Sequence, residues 1–335
     1  MRRRWWGYVV AGLVFTAADG QEPATVEHVA NGERYAASGQ YELALQEYEL
    51  ALSAGAGSAG FLNRLADLYA RNQRFAEAID AFRRSLREKP AQLAAYGGLG
   101  EVFLASGQLD SAIAAVRQAV AIAPGESSVR SSLGFLLLQA EDLASARAEL
   151  DTALSLDPTN PEAHRYRGYY LTQMDSTEAA IAEYRRLAEL VPDHFEARNN
   201  LAFLLARQGR YQEALAAYQQ ALAVAPDAQL VYAVNARMDE VRAKAAGKMR
   251  ARCILVRTSG EADDLRQRVG KGEDFAELAR EFSLGPAADE GGDVGYFGTG
   301  ELMPDFEAAV ARLAVGEVGA VLTVPNGFMV IQRLE

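Results

Sequence analysis

An alanine returns every 34 residues along most of the chain. Ala44, Ala78, Ala112, Ala146, Ala180 and Ala214 hold the twentieth place of six blocks, 25–58, 59–92, 93–126, 127–160, 161–194 and 195–228, with no insertion between them. The eighth place is always small: Gly32, Ala66, Gly100, Gly134, Gly168 and Ala202. The twenty-fourth is large and apolar or aromatic: Tyr48, Phe82, Val116, Leu150, Tyr184 and Tyr218. Proline stands at the thirty-second place in five blocks, as Pro90, Pro124, Pro158, Pro192 and Pro226. Two antiparallel helices approach closely only where side chains are small, and a bulky residue then fills the space between neighbouring hairpins. Proline ends the second helix, because it has no N–H to donate to the preceding turn. The register therefore predicts an α-solenoid of six helical hairpins over 25–228, each burying its apolar face only by stacking on the next.

An end hairpin needs a cover. Residues 229–248, QLVYAVNARMDEVRAKAAGK, place Leu230, Val234, Met238 and Val241 on one helical stripe, as a capping and linking helix requires. Beyond Gly247 alanine thins out and β-branched residues and glycine increase. ARCILVRT (251–258) reads as a buried strand, and EADDLRQRVGKGEDFAELAREFS (261–283) as two helices broken at Gly270–Gly272. GGDVGYFGTGELMPDFE (291–307) reads as a glycine-rich loop, followed by a helix in PDFEAAVARLAVG. AVLTVPNGFMVIQRLE supplies two closing strands around Pro325-Asn326-Gly327. Residues 249–335 are thus expected to form a small α+β domain with three strands.

The first twenty residues, MRRRWWGYVVAGLVFTAADG, put three arginines before an apolar run too short for a comfortable membrane span. Small residues follow at Ala18-Asp19-Gly20, the pattern of a signal peptide (1–20) cleaved before Gln21; retention as an anchor is the other reading. After cleavage no stable membrane insertion is expected. Export, with a bacterial periplasm as the destination, follows from that leader. A net charge of −11 argues against a general nucleic-acid binder and against binding to anionic lipid by charge alone. Cys253 is the single cysteine, so no internal disulfide forms. No cluster has metal-ligand spacing, and the glycine-rich stretch lacks both a dinucleotide fingerprint and a P-loop lysine, so neither metal nor cofactor is expected.

The 34-residue pattern resembles the tetratricopeptide repeat. That resemblance implies that the second, fifth, ninth and twelfth positions of each first helix face a groove. Here these include Asn63, Asp67, Glu101, Phe135, Arg165, Tyr169, Asn199 and Phe203. The lysine, asparagine and arginine constellation that grips a C-terminal carboxylate is absent. Ordinary helix surface is one reading of these residues. The sharper one is a partner-binding groove around Arg165, Tyr169, Asn199 and Phe203, accepting an extended or helical segment of a client protein.

The order ARCILVRT, GEDFAELAREFS, GGDVGYFGTGELMPDFE, NGFMVIQRLE resembles the parvulin family of peptidyl-prolyl cis-trans isomerases over 249–335. The resemblance implies a pocket for a substrate proline formed by Val294, Leu302 and Phe306, with partners drawn from unfolded or assembling proteins through their Xaa-Pro segments. Where the family keeps a polar cluster, this chain departs from it. Cys253 and Met329 stand in place of the two histidines and would also line the pocket. The aspartate or cysteine position falls at Gly285, and the hydroxyl position at Val324 or Asn326. The three histidines, His28, His164 and His194, all lie in the repeats. Rotation about the peptide bond meets a barrier of about 18–20 kcal/mol and needs no nucleophile. A dry pocket favouring the twisted amide suffices in principle. Two functions stay open: an exported isomerase whose repeats recruit clients, and a non-catalytic chaperone or assembly scaffold that only grips proline-containing segments.

Overall fold

The computed structural model describes residues 23–335. The leader expected at 1–20 lies outside the described residues. Twelve helices follow one another in pairs: α1 (Pro23–Ala37), α2 (Tyr41–Ser53), α3 (Ala59–Arg71), α4 (Phe75–Glu88), α5 (Leu93–Ala105), α6 (Leu109–Ile122), α7 (Ser127–Gln139), α8 (Leu143–Leu156), α9 (Pro161–Gln173), α10 (Thr177–Leu190), α11 (Phe195–Arg207) and α12 (Tyr211–Leu222). The described residues divide into two compact units, 23–170 and 171–335.

In the first unit the recurring residues do what their sizes demand. Ala44, Ala78, Ala112 and Ala146 are wholly buried. A Cβ added at Gly32 would lie 2.4 Å from the Tyr48 ring, one at Gly100 2.5 Å from Val116, and one at Gly134 2.7 Å from Leu150. The bulky twenty-fourth residue therefore presses on the small eighth residue of its own hairpin, as well as facing the next one. Tyr48 does both, stacking on Phe61 of α3 with ring centroids 5.2 Å apart.

In the second unit, α13 (Ala228–Ala245) covers the last hairpin. Val234, Met238 and Val241 are buried in one core with Leu201, Leu204, Leu205 and Tyr218, and Leu230 is partly buried against it. Asp227 caps the helix by accepting from the Leu230 N–H at 2.8 Å.

Four strands follow, where three were expected: β1 (Met249–Val256), β2 (Asp293–Phe297), β3 (Leu322–Val324) and β4 (Gly327–Arg333). They form one antiparallel sheet in the order β2-β1-β4-β3. The extra strand, β2, lies inside the glycine-rich stretch read above as loop. Three helices complete the fold: α14 (Ser259–Gly270), α15 (Phe275–Phe282) and α16 (Pro304–Ala311). Thr258 and Glu261 form a reciprocal capping box at the start of α14, and Asp274 caps α15. Alternation along β1 and β4 divides the sheet's residues between two faces. Ile254, Val256 and Val330 pack with Ala262, Leu265, Phe275 and Leu278 of α14 and α15. Ala251, Cys253 and Ile331 pack on the opposite face with Phe306 and Val310 of α16.

Candidate functional site

Gly291 and Gly292 set the approach of the chain to β1 and α15. Both have positive φ, at 71° and 83°. A side chain at Gly292 would strike the Cys253 carbonyl oxygen at 2.4 Å, and one at Gly291 would strike Ala276 at 2.6 Å. Only glycine lets the backbone come this close, with the Cys253 N–H donating to the Gly292 oxygen at 2.8 Å.

Next comes a bulge. Arg252 opposes Asp293 and Arg250 opposes Tyr296, which leaves Val294 and Gly295 to face Ala251 alone. Gly295 has φ +75°, the left-handed conformation of a glycine-type bulge. The extra residue puts Val294 and Phe297, three positions apart, against the same apolar cluster. Asp293 accepts from the Arg250 guanidinium (Nε at 3.1 Å) and from the Gly295 N–H at 2.9 Å, fixing the bulge from outside the cluster.

Four of the five residues assigned to the pocket from sequence come together here. Phe306 is 4% exposed, Cys253 is 9% exposed, and Val294 and Met329 are partly buried against them. Cys253 opposes Ile331 while Met329 opposes Leu255, so the two are diagonal neighbours on one face. Leu302 stands apart: it is 37% exposed and lies outside that cluster. Sequence reasoning missed Phe297, which is buried with its ring centroid 5.7 Å from that of Phe306. Strand alternation would have pointed to it had the bulge been visible.

Burial raises the Cys253 thiol to about 11, so at neutral pH it is uncharged. Arg252 points to the other face, donating to Gln332 at 2.7 Å with its guanidinium 4.6 Å from the Phe275 ring centroid. Gly285 sits beside β1. The Leu284 N–H donates to the Leu255 oxygen at 2.8 Å, and a Cβ added at Gly285 would lie 3.7 Å from that of Leu255.

Glu307, the residue after Phe306, also escaped the sequence. The residue is 8% exposed, and its carboxylate accepts from the N–H groups of Gly300 (2.9 Å) and Leu302 (2.7 Å). Those bonds, Gly300's first, hold its pKa below the usual carboxylate range. Glu301 in turn accepts from Gly298 at 2.9 Å and from Lys248 at 2.7 Å.

The residues assigned to a groove are described unit by unit. In the first unit, Arg165 donates to Glu162 at 3.0 Å and lies over the Tyr166 ring, while Tyr169 is 41% exposed. Asp67 and Glu101 sit at the same register of adjacent helices α3 and α5. Surrounding protein raises Asp67 to about 6. Desolvation by the surrounding protein and the neighbouring Asp67 charge raise Glu101 to about 7. In the second unit, Asn199 accepts from Arg237 at 3.0 Å and Phe203 is 45% exposed. Among the described residues no group of histidine, cysteine and carboxylate side chains could hold a metal ion, and no helix is long and apolar enough to cross a membrane.

Comparison with known proteins places families on both parts. Residues 255–335 match the PPIC-type PPIase domain. Residues 70–198 match the cytochrome c-type biogenesis protein H TPR domain, and residues 29–93 and 195–228 match tetratricopeptide repeats. The foldase protein PrsA of Caldanaerobacter subterraneus is 45% identical over 85 residues, 25% of this chain and 28% of that protein. The chaperone SurA of Methylobacillus flagellatus is 40% identical over 73 residues, 22% of this chain and 17% of that protein. The chain thus matches less than a third of the length of either relative. The solved structure of Pseudomonas aeruginosa pilF shares the helical-repeat fold, with 18% identity and a TM-score of 0.54 over 65% of this chain and 100% of that one. The chain carries tetratricopeptide repeats across residues 29–228, followed by a PPIC-type PPIase domain at residues 255–335.

Proposed function

We propose that this protein is an exported folding factor of the peptidyl-prolyl isomerase type, whose repeats recruit unfolded or assembling clients and whose C-terminal pocket holds their Xaa-Pro segments. The observation that carries the reading is the single apolar cluster joining Val294, Phe297, Cys253, Met329 and Phe306 on one face of the sheet. A prolyl ring is a compact apolar group, and the partly exposed members of that cluster, Val294 and Met329, favour it over water. The likeness to PrsA foldases and the SurA chaperone supports the same class. Exposed Tyr169 and Phe203 offer aromatic surface on the repeats, the residue type that carries most binding energy at protein interfaces. Tethering a client there raises the effective concentration of its prolines at the pocket. The arginine-rich leader at 1–20 supports export, with a bacterial periplasm as the compartment.

A second reading, a module that grips proline segments without accelerating their isomerisation, is favoured by the floor of the pocket. It offers an uncharged thiol and a thioether where the family keeps histidines. Exchange NMR of a Xaa-Pro peptide with the full chain separates the two. Faster cis-trans exchange at catalytic protein amounts supports the enzyme. Binding that perturbs Phe306 and Leu302 signals without faster exchange supports the gripping module. Absence of any perturbation defeats both.

A further inference from the structure

We propose that Glu307 is a positioning residue for the prolyl pocket, and that its negative charge holds Leu302 at the rim where a bound segment meets it; this rests on the proline-pocket reading above. The argument starts from α16. Met303 precedes the helix, Pro304 opens it, and Phe306 and Glu307 follow in its first turn. Phe306 turns into the apolar cluster, while the Glu307 carboxylate turns back and takes the N–H groups of Gly300 and Leu302. One turn of helix therefore supplies the wall of the pocket and ties down the loop that bears Leu302. A carboxylate that accepts backbone N–H groups forms charge-assisted bonds, which weaken when it is protonated.

The other charges around Glu307 do not replace it. The Glu301 carboxylate acts on it unfavourably as a like charge, though the Glu301 backbone N–H favours the ionised form, and that carboxylate is itself engaged by Lys248 at 2.7 Å. Asp305, on the same helix, is exposed. Gly300 has φ +84°, so the segment between Gly298 and Leu302 bends through a conformation that the Glu307 bonds stabilise. Since these bonds depress the carboxylate's pKa, the clamp is intact above the ordinary carboxylate range and is lost as pH falls through the depressed value.

The test uses the full chain, its Glu307→Gln and Glu307→Ala variants, and a short Ala-Ala-Pro-Phe peptide as probe. Amide hydrogen exchange at Gly300 and Leu302 reports the clamp, peptide titration reports the pocket, and thermal melting reports the fold. Glu307→Gln should speed exchange at both amides and weaken peptide binding roughly tenfold while the melting transition persists. Wild-type affinity should also fall as acidification carries the solution down through the depressed Glu307 titration, and that acid limb should be missing in Glu307→Gln. A folded Glu307→Gln that binds as tightly as wild type overturns the proposal, whether or not its amides exchange faster. Peptide binding with the same acid limb in both proteins overturns it too. If wild type binds no peptide, the proline-pocket reading fails and the positioning role falls with it. Faster exchange at Gly300 and Leu302 would then still separate that failure from a missing clamp.

Discussion

Burial keeps the Cys253 thiol protonated across the neutral range, with its pKa at about 11. It can offer only a weak S–H donor, and Met329 offers no donor at all. Of the four positions where the family's polar groups are missing, three lie on or beside β1 and β4. Cys253 and Met329 share a face, and Gly285 has room for a side chain beside Leu255. Exchanging them for the family's polar residues (Cys253→His, Met329→His and Gly285→Asp together) should raise prolyl isomerisation by the full chain at least tenfold, about 1.4 kcal/mol of barrier. Exchange spectroscopy on a Xaa-Pro peptide measures it. A folded triple variant no faster than wild type would show that the surrounding cluster, and not the missing polar groups, limits the rate.

Among elements, the helices were legible and the edge strand was not. Size recurrence at the eighth, twentieth and twenty-fourth places gives every hairpin, because each place has one steric task repeated in each block. The capping stripe Val234, Met238 and Val241 is likewise ordinary helical periodicity, and the structure buries all three. β2 was hidden because five glycines in seventeen residues look like loop, whereas Gly291, Gly292 and Gly295 serve close approach and a bulge. Glu307 was hidden for a different reason: its partners are main-chain N–H groups five and seven residues upstream, which leave no side-chain signature. The turn inside each hairpin carries a further consequence. Its left-handed residue is Gly39, Gly107 or Gly209 in three repeats, but Gln73 (φ 63°), Glu141 (φ 59°) and Asp175 (φ 52°) in the other three. Left-handed backbone costs a side-chain-bearing residue about 1–2 kcal/mol, partly offset by glycine's larger entropy when unfolded. Gln73→Gly and Glu141→Gly should each stabilise the fold by about 0.5–1 kcal/mol in urea denaturation. Unchanged midpoints would mean that these turns are unstrained.

At the scale of the molecule, the second unit holds the last hairpins and the sheet together, and α13 belongs to both. One side of this helix is buried with Leu204, Leu205 and Tyr218. Near its end, Lys244 pairs with Glu335 at 2.9 Å and with Glu240 at 2.8 Å, and the helix also meets β2. Met238→Ala should cost about 2–5 kcal/mol, as truncations of buried methionine do. Native-state hydrogen exchange should show the loss at Ile254 and Val330 in the sheet as well as at Leu204 and Leu205. Sheet protection left at its wild-type level would mean that the two cores open separately. Transplanting the α+β fold onto another carrier therefore means taking residues 228–248 along. A graft beginning at Met249 would deprive Glu335 of its lysine and strip the helix from the outer strand, leaving that margin of the sheet open to strands from other chains.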